Sequence, residues 1–104
     1  MVEENDERWA EAEGHRVKGE LLRDLSADNY REAESFFQSA IAIARRQQAK
    51  SLELRAAMSL ARLWQRQGKR AEARELLAPV YGWFTEGFDT ADLQEAYALL
   101  AALA

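Results

Sequence analysis

Apolar residues recur at intervals of three and four along most of the chain, the period of an α-helix with one buried side. The pattern is densest in Ser51–Gly68. There Leu54, Ala57, Leu60, Ala61 and Trp64 share one side, and Ala56 and Leu63 widen the apolar arc. A helix with so broad an arc is contacted from two directions. Gly68 is the natural stop, because glycine enters the left-handed conformation without a Cβ clash. The same spacing predicts four further helices, over about Glu7–Leu25, Tyr30–Gln48, Arg70–Phe84 and Ala91–Leu103. In the first, Trp9, Ala12, Gly19 and Leu22 form one stripe, and Val17, Leu21 and Leu25 form a second. In the next, Ala33, Phe37, Ala40, Ile41 and Ala44 face one way and Phe36 and Ile43 another.

Punctuation falls between these segments. Met1–Glu7 reads as a polar, frayed start. Ser26–Asn29 reads as a turn, with Asp28 or Asn29 capping the second helix. Pro79 has no N–H for the carbonyl of Glu75, so a kink or break is expected there. Gly87 with Phe88 reads as a glycine C-cap, and Asp89 or Thr90 as the N-cap of the last helix.

The intervals repeat. Gly19 aligns with Ala61, Leu22 with Trp64, Ala33 with Ala73, Phe37 with Leu77 and Ala40 with Val80. Gly19, Ala61, Ala33 and Ala73 are small enough for two helices to approach closely. The expected fold is all-α, a single domain over 1–104. It has a tail at 1–7, paired helices at 8–48 and again at 50–86, and a capping helix at 90–104. Each pair is read as an antiparallel hairpin, and stacking buries the face that one hairpin leaves open.

These residues resemble the tetratricopeptide-repeat family, with Gly19, Leu22, Ala33, Phe37 and Ala40 in the first unit. Leu60, Ala61, Trp64, Ala73, Leu77 and Val80 carry the likeness in the second. The units are longer than the family's usual one and lack its closing proline. The run Glu32–Ala96 also looks like the C-terminal helical repeats of large bacterial signalling proteins. Those proteins join a cyclase-like or DNA-binding output domain to a switch ATPase. Gly14 and the Tyr97–Ala104 end depart from that group. The resemblance implies a five-helix α-solenoid and a regulatory, protein-binding segment. It carries over neither cyclase nor ATPase activity, because none of those domains' residues is here.

Composition narrows the chemistry. With no cysteine there is no thiol nucleophile, thiolate site or disulfide. No apolar run suits a membrane span, and the acidic MVEENDE start suits neither a secretory signal nor a transit peptide. A cytoplasmic location is expected. The lone histidine, His15, has no second strong ligand at helical spacing and reads as a packed or surface residue. Glu3, Glu4, Asp6 and Glu7 read as a solvated acidic run. No nucleophile-elbow or phosphate-loop pattern occurs, so a non-catalytic chain without metal or cofactor is expected.

Charge is unevenly spread. Residues 1–44 carry eleven acids and five bases, 45–74 two acids and nine bases, and 75–104 five acids and no Lys or Arg. Arg55, Ser59, Arg62 and Arg66 lie on one side of the central helix, with Met58 and Gln65 beside them. They offer a concave cationic strip to an acidic peptide or protein. The repeat alignment offers the same arginines internal partners: Glu13 for Arg55, Glu20 for Arg62 and Asp24 for Arg66. The aromatics Trp64, Tyr81, Trp83, Phe84 and Phe88 read as core between the last three helices, with Trp83 off the stripe. The last helix, with Leu93, Tyr97, Leu100 and Leu103, has few charges for an outer layer. Its face is expected to be covered by a second copy, as a homodimer, or by further repeats. The alternative function is a DNA-associated regulator using residues 45–74. It requires those nine bases on one face free of acids, and the acidic flanks make nucleic acid an unfavoured partner.

Overall fold

A computed structural model describes residues 3–85 and 90–104, with side chains from Ala10 onward. All regular structure among the described residues is helical: α1 (Glu3–Leu25), α2 (Tyr30–Arg46), α3 (Lys50–Arg66), α4 (Arg70–Trp83) and α5 (Ala91–Leu103), with a 3-10 turn at Ala27–Asn29. Helix α1 starts at Glu3, four residues before the expected Glu7. No helix among the described residues is long and apolar enough to cross a membrane.

Each helix packs on the next in sequence, and α3 also touches α1 and α5. Among the described residues, no Cα of α2 comes within 8 Å of one in α4. The centre of the molecule is therefore α3. It gives Leu54, Ala57, Met58 and Ala61 to a core shared with Ala73, Leu77 and Val80 of α4 and Leu93, Ala96, Leu99 and Leu103 of α5. It gives Ala56, Leu60 and Leu63 to a second core with Ala33, Phe37, Ala40 and Ile41 of α2. Trp64 and Leu76 pack against both.

Gly19 sets the spacing of α1 and α2. A Cβ there would stand 2.6 and 2.8 Å from two ring carbons of Phe37 and 3.2 Å from the Ala33 carbonyl. Phe37 is fully buried, so its ring has nowhere to retreat.

The two short connections are built alike. Gln48 and Gly68 each follow a helix end with positive φ, 56° and 79°. After α2, the Ala49 amide donates to the Ala44 carbonyl (2.9 Å) and Gln48 to Arg45 (3.1 Å). After α3, Lys69 donates to Trp64 (2.8 Å) and Gly68 to Gln65 (3.1 Å). Both are Schellman closures, one with the glycine they favour and one with glutamine.

One local expectation changes, the cap of α2, and of the kink or break expected at Pro79 the break does not form. Asn29 stands at the N-cap position of α2, but its side chain makes no capping bond; its amide donates back to the Leu22 carbonyl at 3.1 Å and closes the end of α1. Ser26 caps the preceding 3-10 turn, accepting from the Asp28 amide. Helix α4 runs through Pro79 without a break. Pro79 and Glu75 are both exposed, so water can serve the freed carbonyl while buried Leu77 and Val80 hold the helix down. Thr90 caps α5 by accepting from the Leu93 amide. The expected cap at Gly87 and Phe88 lies outside the described residues.

Gly19→Ala is expected to lower stability by roughly 1–3 kcal/mol through overpacking against Phe37, despite the helix propensity gained. Gly14 has open space at its Cβ, so Gly14→Ala should raise stability by up to about 1 kcal/mol. Gln48→Gly should raise it by up to about 1 kcal/mol by relieving the left-handed strain. Thermal melts followed by circular dichroism read all three.

Candidate functional site

The side of α3 that carries the arginine row is closed by charges from α1 and α5. Arg55 donates from Nε to Asp92 (2.8 Å) and from Nη1 to Glu13 (3.4 Å). Arg62 pairs with Glu95 at 3.1 Å. Ser59 is buried, and its hydroxyl donates to Glu20 at 2.7 Å. Arg16 of α1 holds both Glu13 (3.0 Å) and Glu20 (3.1 Å) from above. Of the three cross-helix pairs expected from the repeat, Glu13–Arg55 is formed. Glu20 goes to Arg16 and Ser59 instead, and Asp24 goes to Arg23. Arg62 finds its acid on α5, not on α1.

These contacts leave their mark on the guanidiniums. The hydrogen bond to Glu13, helped by the Glu13 and Glu20 charges, raises Arg16 above the ordinary arginine value despite partial desolvation. The bond to Asp92 does the same for Arg55. Both cations are thus committed inside the molecule.

The expected cationic strip is therefore not presented as a strip. Met58 is buried in the core with α4 and α5, because it falls within the apolar arc of α3 and not on its charged side. Ser59 is sealed by Glu20. Arg66 is exposed and Gln65 half-buried. On α5, Leu93 and Leu103 are buried in the core and Leu100 is packed against it, so these three are structural. Tyr97 is exposed, tilted against Tyr81 at 6.5 Å between ring centroids.

The aromatics divide. Trp64, Tyr81 and Phe84 pack on the core, and Trp64 also donates to Glu34 at 3.0 Å. Trp83 is exposed, edge-on to Phe84, with the Lys50 ammonium 5.5 Å from its ring. Phe88 lies outside the described residues. His15 stacks on Phe36 at 5.8 Å. Among the described residues no three His, Cys, Asp or Glu side chains converge as metal ligands would.

Two features escaped the sequence reading. Glu53, only 3% exposed, sits inside the apolar arc of α3 and holds Arg45 (2.8 Å) and Lys50 (3.2 Å). A carboxylate in an apolar run with two nearby bases was the available signal. The second is a stripe on α1. Val17, Leu21 and Leu25 are 44%, 61% and 76% exposed. Their helical spacing was visible; that no neighbour among the described residues covers them was not.

No family model matches the chain, and no curated protein or solved structure matches it at a significant level.

Arg55→Ala is expected to cost about 1 kcal/mol, because it strips a partner from Glu13 and Asp92, while Arg66→Ala should stay within about 0.5 kcal/mol. A guanidinium whose folded value is raised contributes fully at every pH below the ordinary arginine value and loses that contribution only above it. The Arg55→Ala deficit should therefore be constant from about pH 7 to pH 10, measured by urea titration.

Proposed function

We propose that this chain is a non-catalytic protein–protein interaction scaffold. It acts as a regulatory or self-association module of a bacterial signalling protein in the cytoplasm. Its architecture in this reading is a tetratricopeptide-like solenoid: antiparallel hairpins α1–α2 and α3–α4, with α5 as the capping helix. Support comes from α3 touching all four other helices while, among the described residues, no Cα of α2 comes within 8 Å of one in α4. The contact of Gly19 with Phe37, and the shared core of Ala61 and Leu77, are the close approaches that a small-residue hairpin needs.

The observation that carries the functional reading is the bare stripe of Val17, Leu21 and Leu25. Large aliphatic side chains on one line of a charged helix are the mark of a surface that is covered in use. The arginine row is a weaker candidate, since Arg55 and Arg62 already hold carboxylates. A partner reaching them must first break those bonds. The DNA alternative loses ground for the same reason. Arg45, Lys50, Arg55 and Arg62 all bind acids, and Arg70 donates to the carbonyls of Ala102 and Ala104.

Affinity capture with the intact chain tests the reading. Proteins retained by the wild-type chain and by Arg66→Ala, and lost from a Leu21→Asp/Leu25→Asp variant of unchanged helicity, are the expected result. Capture indifferent to the stripe, together with a salt-dependent shift of random duplex DNA, would replace the scaffold with the DNA reading.

A further inference from the structure

Resting on the scaffold reading, and going beyond it to a face and an occupant, we infer that α1 pairs with α1 of a second copy of this chain. The pairing is antiparallel, about a two-fold axis through Leu21. Val17, Leu21 and Leu25 follow one another at intervals of four, so they form a single ridge. The opposite side of the same helix is occupied: Ala12 and Gly19 are buried there, with Gly19 on Phe37. The ridge thus points away from the rest of the molecule.

The sequence around Leu21 is symmetric in chemistry. Apolar Val17 and Leu25 stand four residues to either side, and Lys18 and Asp24 stand three residues to either side with opposite charge. An antiparallel two-fold pairing sets Leu21 beside Leu21 and Val17 beside Leu25 of the second copy. It brings Lys18, whose ammonium stands over the Phe36 ring, level with the second copy's Asp24, whose Oδ1 accepts from Arg23, and keeps like charges at different heights. A parallel pairing in register would put Lys18 level with Lys18 and Asp24 level with Asp24. Charge therefore selects the two-fold, antiparallel arrangement, which is also the commonest way for identical chains to close an interface.

The other edge offers no such ridge. On α5 the one large apolar side chain exposed among the described residues is Tyr97, already leaning on Tyr81. Around it stand Ala98, Ala101 and Ala102. Self-association accordingly belongs to α1 and not to the last helix. A single-helix seam of this kind stays below about 1,200 Å² in total, so the dimer is weak, dissociating in the micromolar range or above.

The test uses the full chain. Sedimentation or light scattering over a dilution series should show a monomer–dimer equilibrium, and Leu21→Asp should weaken it at least about tenfold with an unchanged circular dichroism spectrum. Because the chain has no cysteine, Leu21→Cys is a site-specific reporter. Mild oxidation should link it into a covalent dimer, while Tyr97→Cys stays monomeric. Lys18→Asp and Asp24→Lys should each weaken the dimer, and the double exchange should restore it. A monomer at millimolar concentration, a dimer that survives Leu21→Asp, or a Leu21→Cys chain that does not cross-link overturns the pairing. If such a monomer still captures a different protein through Val17, Leu21 and Leu25, the self-pairing falls and the scaffold reading stands. If no capture depends on the stripe, both fall.

Discussion

Everything in this molecule is hung on one helix, α3, which touches all four of the others. Ten of the seventeen residues of α3 are buried; seven of them divide between two cores, and Leu52 joins a smaller cluster with Ala12, Ile43 and Ala44. Leu54, Ala57, Met58 and Ala61 look toward α4 and α5; Ala56, Leu60 and Leu63 look toward α2. Such a rod can be enclosed only if its neighbours come close, and closeness is a matter of side-chain size. The small residues Ala56, Ala57, Ala61 and Ala73 on α3 and α4, and Gly19 and Ala33 at the α1–α2 contact, supply it. One more carbon at Gly19 meets a ring that cannot yield.

The third side of α3 is polar and is closed by chemistry of another kind. Arg55, Ser59 and Arg62 reach Glu13 and Glu20 of α1 and Asp92 and Glu95 of α5. Individually, half-exposed pairs like these are worth a fraction of a kcal/mol to about 1 kcal/mol. Collectively they fix how the first and last helices sit beside the middle one, since each carboxylate accepts from a defined donor. They also consume the charges that a partner would otherwise read. On the far side of α1, by contrast, the apolar Leu21 and Leu25 are left to water.

Much of the architecture is legible in the residues, because local spacing encodes it. The extent of α3, the limits of α5 and the approach of Gly19 to Phe37 follow from period and size alone. At Pro79 the neighbouring core residues Leu77 and Val80 outweigh one lost hydrogen bond, so the helix continues where an isolated one could break. Asn29 misleads, since an amide can reach forward to its own helix or back to the previous one. The candidate site was less legible. Met58, Leu93 and Leu103 share a helical face with exposed neighbours, and a rotation of a few tens of degrees decides whether each meets solvent or core.

The sequence by itself determined the helical class, the five helices among the described residues, the central place of Ser51–Gly68 and the presence of two apolar stripes on α1. Those properties come from period, propensity and chain punctuation, which act within one turn or one connection. Only the tertiary structure decided that Arg62 answers to Glu95 and not to Glu20, that Glu53 is buried between two bases, and that Val17, Leu21 and Leu25 are exposed among the described residues. The reason is physical. Which charge meets which, and which stripe stays wet, depends on the angle and offset at which whole helices settle. That choice is made by the summed packing of both cores and not by any residue's own neighbours in sequence.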